Sequence, residues 1–92
     1  MKNSSLLSMA KILKAISNLK RLEILFLLRE GELSVGELQE LVKLSQSALS
    51  QHLAILREED IVKTRRKAQT IFYSIYEPKV LKILEFLETI FD

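Results

Sequence analysis

The sequence predicts a mainly α-helical domain that carries one small β-hairpin near its C-terminal end. Two observations indicate this class. Apolar residues recur at helical spacing through residues 5–58 and again from residue 78, whereas residues 61–76 alternate in a pattern rich in β-branched and aromatic side chains. The predicted order of elements is therefore α-α-α-α-β-β-α. A chain of 92 residues has room for one domain, which we expect to span residues 1–92.

The first two helices are predicted over residues 5–16 and 19–29. Asn18, together with Ser17, separates them and caps the second, and Gly31 is a natural stop after that helix. The expected cap of the first helix is Ser4 or Ser5. The apolar residues of this helix that recur at helical spacing are Leu6, Met9, Leu13 and Ile16. In the second helix, the residues expected to face inward are Leu22, Leu25, Phe26 and Leu28.

Residues 34–58 are predicted to form a helix-turn-helix unit. Ser34 and Glu37 have the spacing of a capping box, which opens a short helix through Val42. Ser45 then caps a longer helix over 46–58. The buried stripe of this longer helix is predicted to be Leu49, Leu53 and Leu56. Two short helices joined by about three residues are typical of this motif.

Residues 61–76 are predicted to form a basic β-hairpin, with strands over 61–66 and 70–75 and a loop over 67–69. No acidic residue occurs in this segment, and its four basic residues are Lys63, Arg65, Arg66 and Lys67. A surface of this kind attracts polyanions. Charge alone leaves open a second interpretation, in which the hairpin is simply solvated.

The last helix is predicted over residues 78–91, with Pro78 at an early position where its missing N–H costs nothing. This helix is apolar around most of its circumference, more than one domain-facing stripe requires. The stripe expected to face the domain is Val80, Leu84, Leu87 and Phe91. We expect a homodimer through the first and last helices, with Leu7, Ile12, Ile83, Phe86 and Ile90 at the interface. The alternative is a deeper monomer core.

The outward face of the helix at 46–58 is unusual because it carries hydroxyls and amides where surface helices commonly carry Glu and Lys. These side chains are Gln46, Ser47, Ser50 and Gln51, and such groups pair with base edges in the major groove. The hairpin residues Arg65, Arg66 and Lys67 would contact the flanking groove or the backbone. His52 is a candidate for a base or a phosphate contact. A helix-turn-helix followed by a basic hairpin is the winged-helix arrangement. The alternative is a polar helix and a solvated hairpin without a DNA role.

Several classes of function are excluded by composition. The chain has no cysteine and only one histidine, so disulfides, thiolate ligands, a thiol redox switch and a zinc site are not expected. With two glycines, it has no phosphate-cradling loop or dinucleotide fingerprint. No basic-then-apolar N-terminal run with a cleavage site and no apolar stretch of about 18 residues occurs, so we expect neither secretion nor membrane contact. The prediction is a cytoplasmic protein that is not an enzyme and has no catalytic residues, metal or cofactor.

The segment from Leu44 to Arg57, LSQSALSQHLAILR, resembles the recognition-helix signature of the ArsR/SmtB winged-helix repressors. The segment SNLKRLEIL at 17–25 resembles the second helix of that family. ELSVGEL at 32–38 and KAQTIFY at 67–73 resemble the HlyU-like virulence regulators. This resemblance implies a homodimer joined through its first and last helices that binds an imperfect inverted repeat in double-stranded DNA and regulates transcription.

The sequence also departs from the family it resembles. Ser34 and Gly36 stand where the family's metal box has cysteines, the last helix has no histidine ligand, and the cysteine pair of thiol-sensing members is missing. We therefore predict a nucleoid-associated regulator, either a repressor or an anti-silencer, that lacks both kinds of sensing and whose inducer is unknown. The alternative is a winged-helix module that docks a partner protein; such a module would tolerate acidic residues on the recognition face and a neutral wing.

Overall fold

The computed structural model describes residues 1–92 and contains five helices and a three-stranded antiparallel sheet. The helices are α1 (Asn3–Ile16), α2 (Leu19–Arg29), α3 (Val35–Val42), α4 (Gln46–Glu58) and α5 (Pro78–Phe91). The strands are β1 (Leu33–Ser34), β2 (Val62–Lys67) and β3 (Thr70–Ile75), in the sheet order β1-β3-β2. The predicted class, a winged helix-turn-helix of mainly α character, is confirmed.

Three of the helices begin at the caps that the sequence predicts. Asn18 accepts hydrogen bonds from the backbone of the first turn of α2, and Ser45 accepts one from Ala48 in α4. Ser34 and Glu37 form both halves of the capping box of α3. The predicted cap of α1 is wrong, because α1 begins at Asn3 and both candidate serines lie inside its first turn.

The hairpin turns more tightly than predicted. Lys67 belongs to β2 and pairs with Thr70, so the loop contains only Ala68 and Gln69. Ala68 has a left-handed backbone with φ of 56°, which a two-residue turn of this kind requires and which glycine usually supplies. The missing glycine is the reason that the sequence indicates a longer loop.

Strand β1 is not predicted from the sequence. It has only two residues, Leu33 and Ser34, which pair with Tyr73 and Phe72 of β3. A segment this short carries no alternating pattern from which a strand could be predicted. Its effect is to join the residues immediately before α3 to the hairpin.

The core consists of fifteen buried hydrophobic residues, with no buried polar or charged residue among them. It includes the predicted stripe of α4: Leu49, Leu53 and Leu56. The predicted stripe of α1 is mostly wrong. Ile16 is buried, but Leu6, Met9 and Leu13 are exposed, because α1 contacts the domain mainly through its C-terminal end.

Helix α5 contacts the domain mainly through its first half. Val80 and Leu84 are fully buried, whereas Phe91, which the sequence analysis placed on the same stripe, is 80% exposed. Farther along the helix, Glu88 receives two hydrogen bonds from the guanidinium of Arg29, at 3.0 and 3.1 Å. This ion pair joins α5 to the C-terminal end of α2, while the apolar side chains near the end of α5 remain uncovered.

Candidate nucleic-acid interface

Helix α4 separates its core-facing residues from its polar residues. The three buried leucines hold one side of the helix against the core. The residues predicted to contact bases are all exposed, namely Gln46, Ser47, Ser50 and Gln51. No carboxylate occurs on α4 before Glu58. The exposed side therefore presents hydrogen-bonding groups without a negative charge that would repel phosphate.

His52 lies at the edge of this surface and is half-buried. Its Nδ1 is 3.2 Å from Nη1 of Arg21, and Nε of Arg21 donates to the carbonyl oxygen of Ala15. A guanidinium only donates, so Nδ1 accepts and the ring proton of the neutral imidazole lies on Nε2. Burial, together with the positive charge of Arg21, lowers the pKa of His52 below its ordinary value of 6.5.

We expect His52 to make the protein less stable in mild acid. The folded state resists protonation of this ring, whereas the unfolded state does not. The free energy of unfolding therefore has its full value above about pH 6.5 and decreases progressively as the pH falls. Urea unfolding between about pH 5 and pH 7.5 should show a falling free energy of unfolding toward acid. The His52→Gln variant should show a weaker decline, and identical declines in the two proteins would contradict the assignment.

The basic residues of the hairpin lie on two different faces. Arg65 pairs with Phe72, and its guanidinium carbon lies 4.6 Å from the centre of that ring. Arg66, on the opposite face, donates from Nε to the carbonyl oxygen of Ala68. Lys67, at the end of β2, has no side-chain hydrogen bond. All three predicted wing residues are exposed.

Two polar contacts that the sequence does not predict link the hairpin to the rest of the domain. Nη1 of Arg57 in α4 donates to the hydroxyl of Tyr73 in β3 at 2.9 Å. Arg65 forms an ion pair with Glu32, whose carboxylate oxygen lies 2.7 Å from Nη2. Arg57 and Tyr73 are 16 positions apart in the sequence, and Glu32 and Arg65 are 33 positions apart. At such distances no local sequence pattern indicates the pairing.

The terminal helices expose the apolar side chains that the sequence analysis assigned to an interface, but not all of them equally. Phe86, Leu7 and Ile90 are 64%, 58% and 57% exposed. Ile12 and Ile83, in contrast, pack partly against the core of their own domain. Further exposed apolar residues on these helices are Leu6, Met9, Leu13, Leu81 and Phe91.

The chain has no group of three or more His, Cys, Asp or Glu side chains placed to hold a metal ion together. None of its helices is both long enough and apolar enough to span a membrane.

Comparisons with known proteins agree with this architecture. Residues 18–64 match the family described as bacterial regulatory protein, arsR family. The transcriptional activator HlyU of Vibrio cholerae is 50% identical over 80 residues, which are 87% of this chain and 74% of HlyU. A solved structure of HlyU from Vibrio cholerae superimposes with a TM-score of 0.92 at 46% identity, covering 99% of this chain and 98% of the chain in that structure.

A second solved structure, the transcriptional repressor BigR from Xylella fastidiosa, superimposes with a TM-score of 0.90 at 40% identity, covering 100% of this chain and 98% of BigR. The family match includes α2, α3 and α4, which are the helices that build and support the exposed polar surface. The chain therefore belongs to the arsR family of bacterial regulatory proteins, and it is a DNA-binding transcriptional regulator of the HlyU-like type and not an enzyme.

Proposed function

We propose that this regulator acts as a homodimer that binds an inverted-repeat operator, with α4 of each protomer in the major groove. The observation that carries the proposal is the division of α4 into a buried leucine side and an exposed side without carboxylates. The major groove of B-DNA is about 12 Å wide and admits a helix of this size.

In this proposal the exposed polar residues of α4 read the sequence. Gln46 and Gln51 carry amides that donate and accept at once, as the N6 and N7 edge of adenine requires. Ser47 and Ser50 supply hydroxyls that bond to several bases. His52, with its proton on Nε2, acts as a donor to a phosphate or a base acceptor.

The hairpin contributes affinity more than sequence preference. Arg65, Arg66 and Lys67 are assigned to the phosphate backbone or the flanking minor groove. The hydrogen bond from Arg57 to Tyr73 connects the hairpin to α4, so both parts of the interface have a defined relative position.

The homodimer is supported by the uncovered apolar surface of α1 and α5. Leu7, Phe86 and Ile90 are the strongest candidates for the interface, because they are more than half exposed in a single chain. Ile12 and Ile83 are assigned to its margin, since each packs partly against its own domain. A dimer formed through this surface would carry two α4 helices, and reading two half-sites of an operator requires two.

Whether the protein represses or activates transcription depends on where its operator lies. HlyU is named a transcriptional activator and BigR a transcriptional repressor, so both outcomes occur among proteins of this architecture. We propose a repressor where the operator overlaps a promoter, and an anti-silencer where binding displaces a nucleoid protein. In either case the protein works on the chromosome in the cytoplasm.

A gel-shift titration tests the proposal. The probe is a duplex of the DNA directly upstream of the gene, and the control is the same duplex with its sequence scrambled. We expect a discrete complex with the upstream DNA at lower protein concentration than with the control. Adding metal ions or oxidants should leave the complex unchanged. Failure to bind either duplex would favour a module that docks a partner protein.

Replacing both Arg65 and Arg66 with alanine should weaken binding to the upstream and scrambled duplexes by the same factor, because phosphate contacts carry no sequence information. The plot of log affinity against log salt should flatten by about 0.9 for each phosphate that is no longer neutralised. A matched control replaces Lys2 and Lys82, two exposed lysines outside α4 and the hairpin, with alanine. Unchanged affinity of the arginine variant at low salt would remove the wing from the interface.

A further inference from the structure

Arg65 is the most heavily engaged cation of the hairpin. Its Nε lies 3.0 and 3.3 Å from the two carboxylate oxygens of Glu32, and its Nη2 lies 2.7 Å from one of them. The same guanidinium stacks on the ring of Phe72. In the protein without DNA, Phe72 therefore covers one face of the Arg65 guanidinium, and Glu32 occupies one of its edges.

The sheet register builds this arrangement. Phe72 of β3 pairs with Ser34 on one side and with Arg65 on the other, so the three side chains share one face of the sheet. Glu32 precedes Ser34 by two positions and reaches the same face. The Arg65 guanidinium thus reaches over the ring of Phe72 to meet Glu32, which directly precedes strand β1.

Other cations of the hairpin differ from Arg65 in this respect. No carboxylate lies within salt-bridge distance of Lys63, Arg66 or Lys67, whereas Glu32 is committed to Arg65. The hydrogen bonds from Arg65 also lower the pKa of Glu32, so its carboxylate stays ionised at neutral pH. The neutral pair that results exerts little net attraction on a polyanion.

We propose that Glu32 determines the DNA affinity of the wing by competing with phosphate for Arg65. A carboxylate and a phosphate are recognised by the same planar fork of donors, so Arg65 makes a full phosphate contact only when it gives up Glu32. The inference rests on the proposed function, because it requires the hairpin to meet the DNA backbone.

The test compares Glu32→Gln with the wild type on the upstream and scrambled duplexes over a range of salt concentrations. The variant should bind both duplexes more tightly by the same factor, about two- to fivefold, as expected for release of one exposed ion pair. The plot of log affinity against log salt should steepen by up to about 0.9, because one more cation neutralises phosphate.

Two controls isolate the pair from the general effect of charge. Glu30→Gln makes the same change in net charge two residues away, at a side chain that is exposed and does not touch the hairpin cations. It should leave the salt slope unchanged. In an Arg65→Ala background, Glu32→Gln should no longer steepen the slope, because the released guanidinium is missing. Thermal unfolding of each variant confirms that the fold is retained.

The inference and the proposed function fail differently. If the wild type binds neither duplex, the proposed function fails. If the wild type binds and Glu32→Gln lowers the affinity, Glu32 instead holds Arg65 in place for DNA and competition is wrong. An unchanged slope, or a slope that steepens equally without Arg65, also overturns competition while leaving DNA binding intact.

Discussion

Replacing Phe86 with glutamate is expected to convert the protein into monomers or aggregates and to abolish operator binding. Phe86 is 64% exposed on α5 in the single chain, among apolar neighbours that the domain does not cover. If α5 packs against its symmetry mate, the substitution buries two carboxylates close to each other, which is strongly unfavourable. A monomer presents one α4, whereas reading two half-sites requires two helices about 34–36 Å apart.

Sedimentation velocity at micromolar concentration measures this effect directly. A control is Glu85→Lys, which changes the charge at an exposed position of the same helix, about 100° around the helix axis from Phe86. The control should remain dimeric and should bind the operator. A wild type that sediments as a monomer, or a Phe86→Glu protein that remains a tight dimer, would show that the interface lies elsewhere.

Replacing Gln51 with alanine is expected to weaken operator binding by about 1–3 kcal/mol, which is the discrimination that one good side-chain contact to a base provides. Binding to scrambled DNA should change little, because that binding depends on phosphate contacts. Gln51 is exposed on α4, about one turn beyond Ser47. Replacing it leaves the buried leucines untouched, so the fold should be unaffected.

Fluorescence anisotropy with both duplexes gives the two affinities under identical salt conditions. Gln39→Ala, a glutamine on α3, serves as the control for removal of an amide outside α4. It should leave the ratio of the two affinities unchanged. If Gln51→Ala reduces the affinity for both duplexes equally, Gln51 positions the helix and does not read a base.

The elements that could be predicted from sequence are those whose signals are local. Asn18, Ser34 and Ser45 each mark a helix start within three residues of the backbone groups that they cap. The boundaries of α2, α3 and α4 therefore agree with the prediction. Strand β1 and the two-residue turn at Ala68 were missed because neither carries the residue pattern that such elements usually show.

The apolar stripes of the terminal helices could be predicted only in part. Periodicity shows which residues of a helix are apolar, but it does not show which neighbour covers them. For this reason the sequence predicts Leu13 and Phe91 in the core although both are exposed, and it predicts Ile12 at the interface although Ile12 packs partly inward.

In the candidate site, too, the sequence predicts some features and not others. The exposed polar residues of α4 follow from the position of its buried leucines, because the two sets occupy opposite sides of one helix. The partners of the charged residues cannot be predicted from the sequence. Arg21 meets His52 and Glu32 meets Arg65 across more than thirty residues of chain, so only the fold brings them together.

The separation of buried and exposed residues on α4 has a consequence for how such regulators diverge. Substitutions at exposed positions away from caps and networks usually change stability by no more than about 0.5 kcal/mol. Gln46, Ser47, Ser50 and Gln51 can therefore vary among duplicated genes while Leu49, Leu53 and Leu56 keep the helix in place. A new copy of the gene can acquire a different target sequence without first acquiring a more stable scaffold.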